Sequence, residues 1–384
     1  MSRITKLFIF SLLIAGACHN GENAGREEAL VSFDVNKNYP GKTIYIQDIA
    51  SIEYLLLESS DDYLFTSFDY ISDKYIIARS SDDDSFLFYD KAGKPVSRVA
   101  KNGQGPGEYQ IALFSVYSDE QDELFVPTYF DGIKVYSREG MFKREIPVKE
   151  GVVIAAMCDY DDDYLVCYDD NGSNADSFFL LSKKDGHVIG IPIHFTKKIS
   201  MMLFDMRSGG AMLTGMLDRC FVIKNGAGYL LNEYSSDTIF RFTPERELIP
   251  LLVRTPPVQD METPILVYAF LETAHYSFMV TQKKEFDYET QKGLDKKNYL
   301  IDKKTGEIFR ANVLNRDYKQ QPLELSPLHL TTSSHEDTGV ISLDMTELQK
   351  AHQEGRLSGR LKEIMDKRSE YDEDPFVLMI MKFN

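Results

Sequence analysis

One local pattern recurs along the chain and constrains its fold more than any other feature. In "SFLFYDKAGKPVSRV", "GIKVYSREGMFKREI", "FFLLSKKDGHVIGIP" and "NYLIDKKTGEIFRAN" a short apolar run leads to Asp or Ser, basic residues and a glycine, and a second strand-like run follows. The glycines are Gly93, Gly140, Gly186 and Gly306, spaced by 47, 46 and 120 residues. A glycine at a hairpin tip supplies the positive φ that tight turns often require. Inside the long interval, "DTIFRFTPERELIPLLVR" (237–254) keeps the strand–turn–strand rhythm, with Pro244 and Glu245 in the turn instead of glycine. Further apolar runs lie upstream of the hairpins, among them "YIIAR", "LFVPTY", "YLVCY" and "GYLLNEY". Each unit therefore holds about four short strands in roughly 45–60 residues, the signature of a β-propeller blade. One such blade cannot bury both faces alone, whereas a ring of blades buries them mutually.

Five hairpins are visible, and a sixth blade needs strands from both ends of the chain. "TIYIQDI" and "IEYLLLES" near the start and "PFVLMIMKF" (375–383) at the end are strand-like. The expected fold is all-β: a six-bladed β-propeller over residues 44–384, closed by pairing the two ends. One stretch departs from the pattern. Residues 346–374 carry Leu348, Leu357, Leu361, Ile364 and Met365 as a partly helical stripe, interrupted at Gly355 and Gly359. This predicts a short helical insertion before the closing strand, packed on one rim.

The first residues form a separate unit. Arg3 and Lys6 precede "LFIFSLLIAGA" (7–17), an apolar run too short to span a bilayer comfortably. Residues 1–17 read as a signal peptide. "IAGAC" resembles a bacterial lipobox, which implies cleavage before Cys18 and acylation of that residue. Residues 18–43 then form a polar tether and lead-in.

The remaining chemistry is sparse. A formal charge of −17 argues against nucleic-acid binding. The glycine-rich "KNGQGPGEY" (101–109) raises the question of a phosphate cradle at Gly103, Gly105 and Gly107. Its G-x-G-x-G spacing fails both nucleotide fingerprints, Pro106 removes a donor, and strand-like alternation follows. A corner between consecutive blades is expected instead. "DYDDDY" offers Asp159, Asp161 and Asp163 to a calcium ion, but Tyr164 stands where an EF-hand loop needs glycine, so solvated turns are expected. The seven histidines (His19, His187, His194, His275, His329, His335 and His352) form no close metal pair, and His187 is expected at the surface. Cys158 and Cys167 lie in neighbouring apolar runs, and both a disulfide and free buried thiols remain open. No metal, cofactor or catalytic residue is assigned.

The lipobox with Cys18, the "GQGPGEY" loop, the "SSDTIFRF" lead-in and the helix-then-"DPFVLMIMKF" ending together make the chain similar to the six-bladed β-propeller lipoproteins of gut-dwelling Gram-negative bacteria, which share the NHL-repeat propeller shape. That resemblance implies a protein lipid-anchored in the cell envelope at the outer membrane. The function expected is non-catalytic: binding, or scaffolding, of a glycan, peptide or outer-membrane partner protein. The alternative is an envelope hydrolase or lyase acting on a polysaccharide at the propeller channel.

Overall fold

The computed structural model describes residues 30–383 apart from 81, 130–131, 206–211, 227, 288–289, 291, 324, 326–330, 333–337 and 369–373. The signal peptide, Cys18 and most of the tether, with His19, His329 and His335, lie outside the described residues.

Three strands precede the blades: β1 (Val31–Asp34), β2 (Gly41–Tyr45) and β3 (Ala50–Leu55). Blade one is the meander β4 (Phe65–Ile71), β5 (Ile76–Ser80), β6 (Phe86–Tyr89) and β7 (Pro95–Val99). Blade two is β8 (Val116–Ser118), β9 (Glu123–Pro127), β10 (Ile133–Ser137) and β11 (Phe142–Ile146). Blade three is β12 (Ile154–Asp159), β13 (Tyr164–Asp169), β14 (Phe178–Ser182) and β15 (Val188–Ile191). A two-stranded ribbon follows, β16 (Met202–Asp205) with β17 (Met212–Met216). Blade four is β18 (Val222–Asn225), β19 (Gly228–Leu231), β20 (Thr238–Phe242) and β21 (Leu248–Thr255). Blade five is β22 (Ile265–Glu272) and β23 (Tyr276–Lys283), an excursion through the ribbon β24 (Phe286–Asp287) and β25 (Lys292–Gly293), then β26 (Lys296–Asp302) and β27 (Ile308–Asn315), with β28 (Tyr318–Pro322) folded back on β27. The chain ends with β29 (Thr331–Thr332), β30 (Thr338–Asp344), helices α1 (Met345–Gln353) and α2 (Gly359–Lys367), and β31 (Phe376–Phe383).

The six-bladed ring expected from the sequence is corrected to five blades. Five sheets are four-strand meanders taken in chain order, each built around one of the five hairpins. The closing sheet is of a different kind. Its order is β29-β30-β31-β3, so it borrows its outer strand from the start of the chain, and β29 is only two residues long. The strands at the start of the chain are dispersed over three sheets. β1 adds in parallel to β21, with Val31 opposite Leu252, and β2 adds in parallel to β27, with Gly41 opposite Arg310. Only β3 reaches β31, with Ala50 opposite Phe383. The cause is that the last unit has no repeat hairpin of its own and is assembled from both ends.

Burial explains the strand types. β6 ("FLFY") and β10 ("IKVYS") are buried at every position because the neighbouring blades cover both faces. β11 ("FKREI") is an outer strand and buries only Ile146. Blades one and two meet through Phe86, Phe88, Tyr117 and Tyr136, and blades two and three through Phe125, Ile133, Cys167 and Phe179. Phe33 of β1 is driven between blades four and five, against Tyr299 and Leu252. Each hairpin glycine has positive φ, from 72° at Gly306 to 83° at Gly93 and Gly140. In the hairpin without glycine, Arg246 takes the position at φ 65°. Its side chain lies over the Tyr164 ring at 4.8 Å and 3.6 Å from Asp161 of blade three.

The helical stretch packs Leu348 and Leu361, both fully buried, on the largest core cluster. Asp344 caps α1 by accepting from the Glu347 N–H, and Gly355 at φ 67° turns the chain toward α2. Among the described residues no helix is long and apolar enough to cross a membrane.

Candidate functional site

The glycine loop is a corner. It joins blade one to blade two, and the N–H groups of Gly103, Gly105 and Glu108 are spent within the loop. Gly103 N–H donates to the Tyr109 carbonyl (2.9 Å), Glu108 N–H to the Gly105 carbonyl (3.0 Å) and Gly105 N–H to Glu108 Oε2 (2.7 Å). Glu108 thus folds back on its own turn. Tyr109 is fully buried between Phe86 and Tyr136 and donates to the Asp84 carbonyl (3.1 Å). Only Gly107 of the three glycines has positive φ, 77°, and Tyr136 donates to its carbonyl (3.0 Å).

The other sequence candidates resolve into structural roles. Asp159 pairs with Lys183 (2.6 Å), while Asp161 Oδ1 accepts the N–H groups of Asp163 (2.9 Å) and Tyr164 (2.7 Å). The three carboxylates are therefore not brought together. Among the described residues no group of three or more His, Cys, Asp or Glu is placed to hold a metal. His187, His194 and His275 are exposed, and His352 pairs with Asp366 (2.7 Å). Cys158 and Cys167 are free thiols. Cys167 lies opposite Met157, so Cys158 is one residue out of step and faces the other side of the sheet. Burial pushes the Cys158 thiol up to about 11, which keeps it protonated at neutral pH.

Where blades three, four and five meet, two buried carboxylates and two half-buried ammonium groups come together. Lys198 Nζ donates to Tyr168 Oη (2.6 Å), Ser177 Oγ (3.0 Å) and Glu233 Oε2 (3.0 Å), which uses all three of its protons. Lys284 Nζ donates to the Ser200 carbonyl (2.5 Å), and burial pulls its ammonium below the ordinary lysine range. Asp170 is 7% exposed, and burial raises its carboxyl above the usual range. The cluster pins the segment Lys198–Met201 that leads into β16.

A groove lies at the outer edge of blade five. It has a volume of about 410 Å³ and is lined by Tyr45, Leu314, Asn315, Arg316, Tyr318 and Lys319. β2 supplies Tyr45 because it pairs with β27, and the tight β27–β28 turn supplies Arg316. The Arg316 guanidinium lies 4.4 Å from the Tyr45 ring centre and donates to Asp48 Oδ1 (2.6 Å). Gln47 donates to Asn315 Oδ1 (2.6 Å) and accepts from Arg316 N–H (3.1 Å). Asn315 Nδ2 donates to Tyr54 Oη (2.9 Å). Arg356 stands over the Tyr318 ring at 5.5 Å. Tyr45 is 39% exposed and Lys319 is exposed, so the groove offers an aromatic face, guanidinium and ammonium groups, and a fixed amide floor. Two further depressions, each about 380 Å³, lie at Arg241–Glu272–Lys303 and beside α2 at Ile364 and Lys367. In the first of these, Glu272 already accepts from Ser277 (2.8 Å) and pairs with Arg241 and Lys303.

None of the groove residues is a sequence candidate. Tyr45 and Arg316 meet through a parallel pairing of distant segments, which leaves no local motif.

A family model described as a domain of unknown function, DUF4934, matches residues 30–382. The chain belongs to the DUF4934 family. Comparison with curated proteins returned no match. Among solved structures, the DUF4934 chain is similar to a Bacteroides fragilis protein whose name labels it as exported, at 14% identity and TM-score 0.62, covering 93% of this chain and 100% of that one. This likeness concerns the fold. A member of the DUF4221 family from Bacteroides vulgatus aligns at 10% identity and TM-score 0.48, covering 88% of this chain and 99% of that one.

Proposed function

We propose that this DUF4934 protein is an exported protein of the bacterial cell envelope, anchored at the outer membrane through lipid on Cys18, whose propeller binds a glycan or peptide without transforming it. The groove at Tyr45, Arg316, Tyr318 and Lys319 carries the binding reading. Aromatic faces backed by guanidinium groups suit the hydroxyl-rich or amide-rich edges of such ligands. Export is supported by the apolar run Leu7–Ala17 before Cys18 and by the export named for the similar Bacteroides fragilis protein.

Titration calorimetry of residues 19–384 against acidic polysaccharides, neutral polysaccharides and unstructured peptides tests the binding. One class should bind saturably, and Tyr45→Ala or Arg316→Ala should weaken it about tenfold with unchanged melting. Absence of binding to all three classes, or shortened polysaccharide chains in the product, would refute the reading. In the full chain, Cys18→Ser should leave the membrane fraction, because acyl chains anchor and a bare tether does not. Its retention after carbonate washing would remove the lipid anchor from the account.

A further inference from the structure

The outer edges of the sheets are not treated alike. β21 is covered by β1, and β27 by β2 and β28. β7 carries Pro95 and Arg98, β11 carries Lys143, Arg144 and Glu145, and β3 carries Glu53. Charges and proline are the ordinary means by which an open edge is kept from pairing. β15 has none of them. Its sequence is Val188-Ile189-Gly190-Ile191, and among the described residues it pairs only with β14.

The ladder fixes which groups are open. Ser182 N–H donates to the His187 carbonyl (2.8 Å), so the hydrogen-bonded pairs continue at Leu180–Ile189 and Phe178–Ile191. Val188 and Gly190 therefore turn their N–H and C=O groups outward. Gly190 is exposed and has no side chain to obstruct an approaching backbone, and the Asp176 carboxylate lies beside it.

We infer that β15 is a docking edge for an extended segment of a partner protein, which adds to blade three as a parallel fifth strand. The molecule shows the occupant's chemistry on the next two blades. β1 and β2 are four and five residues long and run parallel to the outer strand. Each turns an apolar residue inward, Phe33 and Ile44, between exposed Ser32 and Asp34 or Thr43 and Tyr45. The segment that fits β15 has the same alternation. Asp176 favours a basic residue at its flank, as does the formal charge of −17. Main-chain hydrogen bonds would provide the affinity and the alternate side chains the selectivity.

The probe is a fluorescent peptide, Lys-Thr-Val-Thr-Val-Thr-Lys, added to residues 19–384, with binding read by polarisation and amide hydrogen exchange by mass spectrometry. Exchange at Val188 and Gly190 should be fast in the free protein and slow by roughly tenfold or more with peptide, because these outward amides become bonded. Gly190→Pro removes one outward N–H and should weaken binding roughly tenfold. Gly190→Ala keeps that N–H but pushes the Asp176 carboxylate aside, so it should weaken binding less than the proline does. Should the proline variant fail to fold, the exchange footprint on the parent protein decides. The inference is overturned by slow exchange at Val188 and Gly190 in the free monomer, by a peptide footprint on another edge, by no binding, or by a dimer that protects β15 by itself.

Discussion

Alanine at Gly107 should destabilise the fold far more than alanine at Gly105, although both sit in one short loop. Gly107 has φ 77°, and an added Cβ would stand 2.7 Å from Cγ and 2.9 Å from Cδ1 of Phe142. A left-handed conformation costs a non-glycine residue about 1–2 kcal/mol. Phe142 must also move, and an off-rotamer ring adds about 1 kcal/mol. The ring is 39% exposed and has room to turn, so the second term stays small. The sum is roughly 2–3 kcal/mol. Gly105 has no positive φ, and its added Cβ would meet only Glu108 Oε2 at 3.0 Å, the end of a flexible side chain. Its cost should stay below about 1 kcal/mol, the scale of the hydrogen bond from Gly105 N–H to Glu108. Urea unfolding followed by both tyrosine fluorescence and circular dichroism reads the difference, provided the two probes coincide. The double variant Gly107→Ala/Phe142→Ala should retain the backbone part of the loss attributed to Gly107. Equal costs at the two glycines, or a Gly107→Ala variant as stable as the parent, would refute the corner argument.

Three other perturbations follow from the same reasoning. Deleting residues 375–384 should leave the chain unfolded by circular dichroism, since β31 lies between β30 and β3 and buries Val377, Leu378, Met379 and Met381 completely; unchanged melting would contradict this. Arg246→Gly should alter stability by no more than about 0.5 kcal/mol, because relief of the left-handed strain of about 1 kcal/mol offsets a lost cation–π contact of similar size; a large loss in urea unfolding would assign Arg246 a larger part in joining blades three and four. Asp170→Asn should raise stability at pH 7. Burial holds the Asp170 carboxyl above the usual range, so the folded chain keeps the proton longer than the unfolded chain, and stability falls as pH rises from the ordinary carboxylate value through the raised one. The gain should shrink as pH is lowered back through that window, and a gain independent of pH would reject the assignment.

The parts of the fold legible in the sequence are those that depend on local chemistry. Gly93, Gly140, Gly186 and Gly306 announce hairpins because a tight turn needs positive φ, and Pro106 with the alternation after Tyr109 marks the glycine loop as a corner. The strand runs are readable because the blades cover both their faces. Long-range pairing is not written locally. Nothing in "TIYIQDI" says that it lies beside β27, so the sequence places it in a further blade while β2 in fact widens blade five. The groove was invisible for the same reason: Tyr45 and Arg316 become neighbours only through that pairing. The cysteine question turned on register, since one residue of offset between Cys158 and Cys167 places their side chains on opposite faces.

The parallel seating of β1 and β2 has a kinetic meaning. Val31 waits for Leu252 and Gly41 for Arg310, so the earliest strands to be synthesised are among the last to find partners. Blades one to three can form from contacts within each meander while the leading strands remain solvated. Ring closure then carries the loop-entropy cost of joining distant segments, which places the slow step of folding at the end of synthesis rather than its beginning. Until that step, the edges of β21 and β27 stand open, and the nascent chain is most vulnerable to mispairing at the two blades that are best protected once it is complete.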